Sequence, residues 1–164
     1  MTTIAVDLRT KQMASDSRVT CGDSFYETDK IFECEDGSLI GFCGGLADAL
    51  LFVEWMKAGA VRSERPSYAE STFKALVLNH EGLASWGSDC VRMPMRGREF
   101  YAMGSGGQAA MGAMYAGAEI GHAIKIATLC DENSGGAVIV KQYAPRDPAK
   151  PAEKPKARRA RSRN

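Results

Sequence analysis

The sequence predicts an α+β protein in which two antiparallel sheets lie face to face with helices outside them. Two observations indicate this arrangement. Short β-prone segments and helical segments occur in the order strands, helix, strands, two helices, strand. That order lacks the regular alternation of strand and helix that is typical of a parallel sheet. With 164 residues, 45% of them hydrophobic and 25% charged, the chain has the size and composition of one globular domain.

The first half of the chain is predicted to contain short strands and one helix. Alternating residues bounded by turn-forming segments predict strands at residues 3–8, 13–16, 17–20, 25–27, 30–34 and 38–43. Gly44 and Gly45 interrupt the last strand, and apolar residues at helical spacing then predict a helix over residues 46–59. A loop containing Pro66 follows, and residues 68–72 leave room for one or two helical turns at most.

The second half repeats this order with two helices. Strands are predicted at residues 73–79, 83–86, 91–93 and 100–103, and a last strand at residues 137–143. Between the strands at residues 100–103 and 137–143, a glycine-rich turn begins a predicted helix over residues 108–118. The alanine, glycine and methionine residues of this helix allow a neighbouring helix to approach closely. Apolar positions at helical spacing predict a second helix over residues 121–130.

Charge is unevenly distributed along the chain. Residues 145–164 contain eight Lys or Arg and two acids, a charge of +6 against a total of +1, so that the body carries −5. This last segment is also rich in proline and alanine and has no aromatic residue. We therefore expect a folded domain over residues 1–144, with Met1 removed, and a disordered basic tail over residues 145–164.

The cysteines and the chain start bear on compartment and cofactors. None of the five cysteines forms a C-x-x-C motif and their number is odd, which argues against a zinc site or a disulfide framework. Scattered single cysteines are typical of a reducing compartment. The sequence shows no signal-peptide pattern and no apolar run of the ~18 residues that a membrane helix needs. We expect a cytoplasmic protein without metal or other cofactor.

The first residues contain a candidate nucleophile. Met1 precedes a small residue, a context in which the initiator methionine is commonly removed, and Thr2 would then carry a free α-amine beside its hydroxyl. A terminal amine, with a pKa of about 7.7–8.0, can act as the base for the hydroxyl of its own residue. Most chains that begin in this way are not threonine enzymes, so that the hypothesis depends on residues further along the chain.

Short motifs spread over residues 2–143 provide that support. They are Met1-Thr2-Thr3-Ile4, Ala14-Ser15-Asp16, Asp29-Lys30-Ile31, the glycine segment of residues 40–48, Gly104-Ser105-Gly106-Gly107, and Asp131-Glu132-Asn133-Ser134-Gly135-Gly136. In this order and spacing the motifs resemble those of the proteasome β-type and HslV-like peptidases, members of the N-terminal nucleophile hydrolase family. The resemblance implies a four-layer αββα sandwich of two antiparallel sheets between helix layers, here with the second helix of the first layer shortened.

The resemblance also implies a set of catalytic roles. Thr2 would attack the scissile carbonyl, with its own amine as the base through a water molecule. Lys30 would lower the proton affinity of the site by its positive charge, and Asp16 would orient Lys30. Without the resemblance, Asp16 would be interpreted as a turn or cap residue and Lys30 as a surface lysine.

Four further positions complete the site that the resemblance implies. The backbone N–H of Gly41 would donate a hydrogen bond to the oxyanion. Ser105, Asp131 and Ser134 would form hydrogen bonds around the terminal amine. The implied activity is that of a threonine-type endopeptidase subunit acting on polypeptides, in a homo-oligomeric ring with an unfoldase ATPase as a candidate partner. The short segment before residue 73 leaves ring size and ATPase docking open.

Three alternatives remain at this stage. The chain could be a catalytically inactive structural or scaffold relative. It could bind a dinucleotide, because residues 104–109 satisfy G-x-G-x-x-A between a strand and a helix, although no further βα unit follows. The basic tail could bind nucleic acid nonspecifically, since it has charge but no aromatic residues for stacking.

Overall fold

The computed structural model describes residues 2–68 and 73–146, which form a mixed α+β protein. Elements of the first half are β1 Thr3–Asp7, β2 Gln12–Asp16, β3 Arg18–Cys21, β4 Ser24–Glu27, β5 Ile31–Glu33, β6 Leu39–Cys43, α1 Leu46–Lys57 and a 3₁₀ turn at Arg62–Glu64. Those of the second half are β7 Lys74–Asn79, β8 Gly82–Gly87, β9 Met93–Pro94, β10 Phe100–Gly104, α2 Gly107–Tyr115, α3 Ile120–Cys130 and β11 Val138–Gln142. The predicted order of strands and helices is therefore confirmed, with boundaries shifted by one to three residues.

The strands of the described residues form two larger antiparallel sheets and one separate hairpin. The four-stranded sheet has the order β10-β1-β2-β11, and the five-stranded sheet has the order β5-β6-β7-β8-β9. Strands β3 and β4 pair with each other in a two-stranded sheet that the sequence did not predict. The chain leaves the four-stranded sheet at Ser17, because the N–H groups of Ser17 and Arg18 both donate to the carbonyl of Gly135, at 3.1 and 2.9 Å.

Three apolar clusters hold the elements together. One joins β1 and β2 to strands of the five-stranded sheet through residues such as Ile4, Met13 and Leu76. Another packs the small residues of β1 and β2 against α2 and α3, and the third packs the five-stranded sheet against α1. The clusters show that both sheets bury side chains on each other and on helices, which is the contact pattern expected of a layered sandwich. The exact stacking of four layers stays a prediction.

Some expectations concern residues outside the described part of the chain. These are the removal of Met1, the short helix at residues 68–72 beyond its first residue, and the basic tail after Arg146. Arg146 itself forms an ion pair with Glu33 at 2.6 Å, close to the β5–β6 turn. None of the helices within residues 2–68 and 73–146 has the length and apolar character to cross a membrane.

Candidate active site at the start of the chain

Lys30 lies directly before β5 and is one of the largest fully buried side chains, with 1% of its surface exposed. Its Nζ donates to Asp16 Oδ1 at 3.0 Å and to the carbonyl oxygen of Arg18 at 2.5 Å. Burial lowers the pKa of the Lys30 amine, and the charge of Asp16 offsets part of that effect. A buried, ion-paired amine is not the surface lysine that residue type alone would suggest.

Asp16 connects three separate segments of the chain. Its side chain is fully buried, and besides Lys30 its Oδ1 accepts the backbone N–H of Thr3 at 2.8 Å. Its Oδ2 accepts the N–H of Gly135 at 3.0 Å. The Lys30 amine and the main chain of Thr3 thus share one acceptor atom. This geometry holds the Lys30 cation next to the first residues of the chain.

A glycine turn surrounds Thr2 and Thr3. Gly104 pairs with Thr3 in the β1–β10 ladder at a φ of +89°, and the carbonyl of Thr2 fills the space that a Cβ on Gly104 would need. The hydroxyl of Thr3 likewise fills the Cβ position of Gly106. The first residues of the chain therefore lie so close to Gly104 and Gly106 that a side chain at either glycine would collide with them. A dinucleotide would need that same space, which argues against the dinucleotide-binding alternative.

The polar loop after α3 closes the site from the other side. Asp131 Oδ2 accepts hydrogen bonds from Ser105 Oγ and Ser134 Oγ, both at 2.6 Å. Since the Ser134 hydroxyl proton is used in this way, the 2.7 Å contact between Thr3 Oγ1 and Ser134 Oγ has Thr3 as its donor. Burial acts to raise the pKa of Asp131, but the hydrogen bonds from Ser105, Ser134 and Asn133 outweigh it and hold the pKa below its usual range.

Hydrogen bonds thus link Ser105, Asp131 and Ser134, through Thr3, to Asp16 and Lys30. The structure brings these five predicted site residues together at the position where Thr2 begins the fold. A buried cation, two carboxylates and two serine hydroxyls are arranged around Thr3, the residue that follows Thr2. Such a cluster can adjust the proton affinity of an amine and orient it toward a neighbouring hydroxyl.

Gly41 does not join this cluster, and its predicted role as oxyanion donor requires correction. Gly41 lies in the middle of β6, where it pairs with Ile31 on one side and Leu76 on the other. The N–H of Phe42 points to β5 and donates to the Lys30 carbonyl, so alternation along the strand directs the N–H of Gly41 to β7. A Cβ on Gly41 would lie 2.7 Å from Met13 Sδ, so this glycine allows the two sheets to pack closely.

Several residues of the site had no role in the sequence interpretation. Thr3 contributes a hydroxyl and an N–H, Arg18 contributes its carbonyl, and Gly135 contributes an N–H to Asp16. Main-chain donors and acceptors have no residue-type signature, so only the register of the strands reveals them. Within the described ranges, no group of three or more His, Cys, Asp or Glu is placed to hold a metal ion.

The close fit at Gly104 leads to a stability prediction with an internal control. Gly104→Ala should lower the free energy of unfolding by about 2–3 kcal/mol, since alanine would be strained at this φ and would collide with the Thr2 carbonyl. Gly112 lies inside α2, and a Cβ there would meet nothing within 4 Å. Gly112→Ala should therefore stabilise the protein by about 1 kcal/mol. Chemical denaturation measures the free energy of unfolding of both variants. If Gly104→Ala changed it by the same amount and in the same direction as Gly112→Ala, the tight packing at Gly104 would be contradicted.

Comparison with known proteins supports the same family. The model of the proteasome subunit family matches residues 2–80. The fold is similar to that of eukaryotic HslV from Trypanosoma brucei, with a TM-score of 0.65 and 21% identity over 85% of this chain and 97% of that one. BPH of Thiobacillus denitrificans in complex with epoxomicin has a TM-score of 0.63 and 19% identity, over 87% of this chain and 100% of that one. No curated protein matches the sequence closely enough to count as a relative.

At these identities the structural similarity concerns the fold, whereas the family match rests on the sequence that contains β1, Asp16, Lys30 and the glycine segment before α1. The two comparisons overlap in that part of the chain. Residues 2–80 thus match the proteasome subunit family, and the fold is similar to that of the HslV and BPH structures.

Proposed function

We propose that the chain is a threonine-type endopeptidase with Thr2 as its N-terminal nucleophile. The single observation that carries the proposal is the shared acceptor Asp16 Oδ1, which holds the buried amine of Lys30 next to the main chain of Thr3. A lysine in this position costs desolvation energy and does not contribute apolar packing of comparable value. Its placement is explained if a positive charge is needed at the chain start, and a purely structural subunit would have no such need.

In the proposed reaction, the Thr2 hydroxyl oxygen attacks the carbonyl carbon of the scissile peptide, and its proton passes to the free α-amine of Thr2. The resulting ammonium donates a proton to the leaving amine as the peptide C–N bond breaks. Water then hydrolyses the ester formed on Thr2. The charge of Lys30 keeps the proton affinity of the α-amine low enough for it to give up the proton, and the Ser105–Asp131–Ser134 cluster orients that amine.

For the oxyanion we propose the N–H of Gly44 in place of Gly41. Gly44 follows the last residue of β6 at a φ of +101°, outside the strand ladder and one residue before Gly45, the N-cap of α1. Burial raises the pKa of the preceding residue, Cys43, and the charge of Lys30 acts in the opposite direction, which supports a position of this strand end near Lys30. A helix N-terminus also favours a developing negative charge.

The family context extends the proposal to assembly and location. We propose a homo-oligomeric ring that acts on polypeptides in the cytoplasm, with an unfoldase ATPase as a candidate partner. All five cysteines of the chain are free thiols, in agreement with a reducing compartment. Ring size is left to measurement, because the segment before Phe73, where the family places its second helix, is short in this sequence.

N-terminal mass spectrometry combined with epoxomicin treatment tests the proposal. Epoxomicin is the ligand of the Thiobacillus denitrificans structure. The protein, tagged only at its C-terminus, should begin at Thr2, and epoxomicin should inhibit peptide hydrolysis and add its mass to the N-terminal fragment. Active protein that retains Met1, or an adduct on another fragment, would refute the mechanism. Correctly processed protein without hydrolysis or adduct would favour the inactive scaffold.

A further inference from the structure

The hairpin β3–β4 is a weak element that nevertheless supports part of the site. In the part of the chain that the structure describes, its strands pair with each other and with no further strand, and every residue of β4 is exposed. An isolated two-stranded hairpin is at best marginally stable in water. Arg18, the first residue of this hairpin, supplies the carbonyl that accepts a hydrogen bond from Lys30. The position of the Lys30 amine therefore depends on something that fixes the hairpin to the body.

Glu27, the last residue of the hairpin, makes such a connection. Its Oε2 accepts the hydroxyl of Ser17 at 2.7 Å and the backbone N–H of Ala137 at 3.2 Å. Ser17 is 3% exposed and lies between Asp16 and Arg18, whereas Ala137 follows the loop that contains Asp131 and Ser134. One carboxylate oxygen thus joins the two segments that contribute the two halves of the site.

The residues around Glu27 leave room for its contact with Ser17 and fix the end of the hairpin. Gly136 adopts a φ of +76°, and a Cβ there would collide with the Ser17 hydroxyl and lie 3.1 Å from Glu27 Cδ. The carbonyl of Ser17 accepts the N–H of Thr28 at 2.9 Å, which fixes the end of the hairpin beside its beginning. The hydrogen bond from Ser17 lowers the pKa of Glu27, with a smaller contribution from Ala137, so this side chain is ionised at neutral pH.

We propose that Glu27 is a positioning residue, which holds the Arg18 carbonyl and Asp16 in register with the Asp131–Ser134 loop through Ser17 and Ala137. The inference rests on the proposed peptidase function, to which it adds a residue outside the predicted site. Glu27 touches no reacting group. It acts by keeping the acceptors of Lys30 in place, and a displacement of about 1 Å at such a position can cost up to about 10²-fold in rate.

The test compares Glu27→Ala and Glu27→Gln in the full chain lacking Met1. Glu27→Ala should lower kcat by about tenfold or more with little change in KM, because substrate contacts remain while the site loosens. Glu27→Gln keeps an uncharged acceptor oxygen of the same reach and should recover most of the lost rate. Glu99 is an exposed acid whose carboxylate makes a long ion pair with Arg9, with 4.0 Å between Oε2 and Nε. Glu99→Ala therefore serves as the control that should leave kcat unchanged.

Hydrogen exchange provides a readout that does not depend on activity. In Glu27→Ala the backbone amides of Ser17, Arg18 and Ala137 should exchange at least about tenfold faster, while those of the β7–β8 pair keep their protection. If wild-type protein is inactive, the exchange result still decides whether Glu27 holds the two segments together. The proposal would be overturned if the amides of Ser17, Arg18 and Ala137 exchanged in Glu27→Ala as slowly as in the wild-type protein. It would also be overturned if the loss of kcat in Glu27→Ala merely followed global unfolding and Glu27→Gln did not restore activity.

Discussion

Thr2→Ala is expected to reduce peptide hydrolysis to background, a loss of at least about 10³-fold in kcat, without unfolding the protein. The substitution removes the attacking oxygen but keeps the α-amine. The described contacts of Thr2 involve its carbonyl, which packs against Gly104 and is the same in any residue. A peptidase assay together with thermal unfolding measures the two effects, and the unfolding temperature should change little.

Thr2→Ser is the matched control, because it keeps a hydroxyl of similar reach and should retain measurable activity. Alanine and serine are both small residues, so Met1 should be removed equally in all three proteins, and intact mass verifies this. Wild-type activity in a correctly processed Thr2→Ala protein would show that another group is the nucleophile. Loss of activity in Thr2→Ser as well as Thr2→Ala, at unchanged stability, would show a requirement for the methyl group in positioning the hydroxyl.

Lys30→Met should abolish activity and also destabilise the fold. Methionine fills most of the same volume but leaves Asp16 charged and buried with only the N–H groups of Thr3 and Gly135 as donors. Breaking a buried ion pair from one side costs about 3–5 kcal/mol, and the two remaining donors place the expected loss near the lower end, about 3 kcal/mol. We expect kcat to fall by about 10²-fold or more, since the cation that tunes the Thr2 amine is lost. Chemical denaturation and steady-state kinetics measure the two losses.

A second variant separates the stability loss from the catalytic loss. In Lys30→Met/Asp16→Asn the unpaired buried charge is gone, so part of the free energy of unfolding should return while activity does not. Lys125→Met, at an exposed position of α3, should change stability by less than about 0.5 kcal/mol and leave kcat unchanged. Restored activity in the double variant would contradict a role for the Lys30 charge in catalysis.

Alternation and helical spacing were enough to predict most elements of this chain. Helical spacing worked where one face of an element is buried, as in α3 with its buried Ile124. Strand β7 is buried on both faces from Ala75 to Leu78, and it was predicted from its position directly before a hairpin turn. The local patterns predicted both strands of the hairpin β3–β4 but not its separation from the larger sheets, because that separation depends on two hydrogen bonds from Ser17 and Arg18 to the Gly135 carbonyl. No local pattern in the sequence encodes a contact between residues more than a hundred positions apart.

The candidate site was predictable to a similar extent. Motifs identified Asp16, Lys30 and Asp131, whereas residue type alone would have left Lys30 on the surface, and the resemblance assigned it to the site. Gly41 was misassigned because three glycines lie close together in residues 41–45 and the sequence does not say which of them remains inside the sheet. Strand register decides that question.

The burial of Thr2 has a consequence for how an active molecule could arise. Only 7% of this residue is exposed, and β1, which follows it directly, lies between β2 and β10. Processing that frees the Thr2 amine is therefore expected on the nascent polypeptide, before these strands assemble. A fusion partner placed ahead of Met1 would yield a well-folded but inert product, and recombinant material intended for enzymology should carry its affinity tag after Asn164.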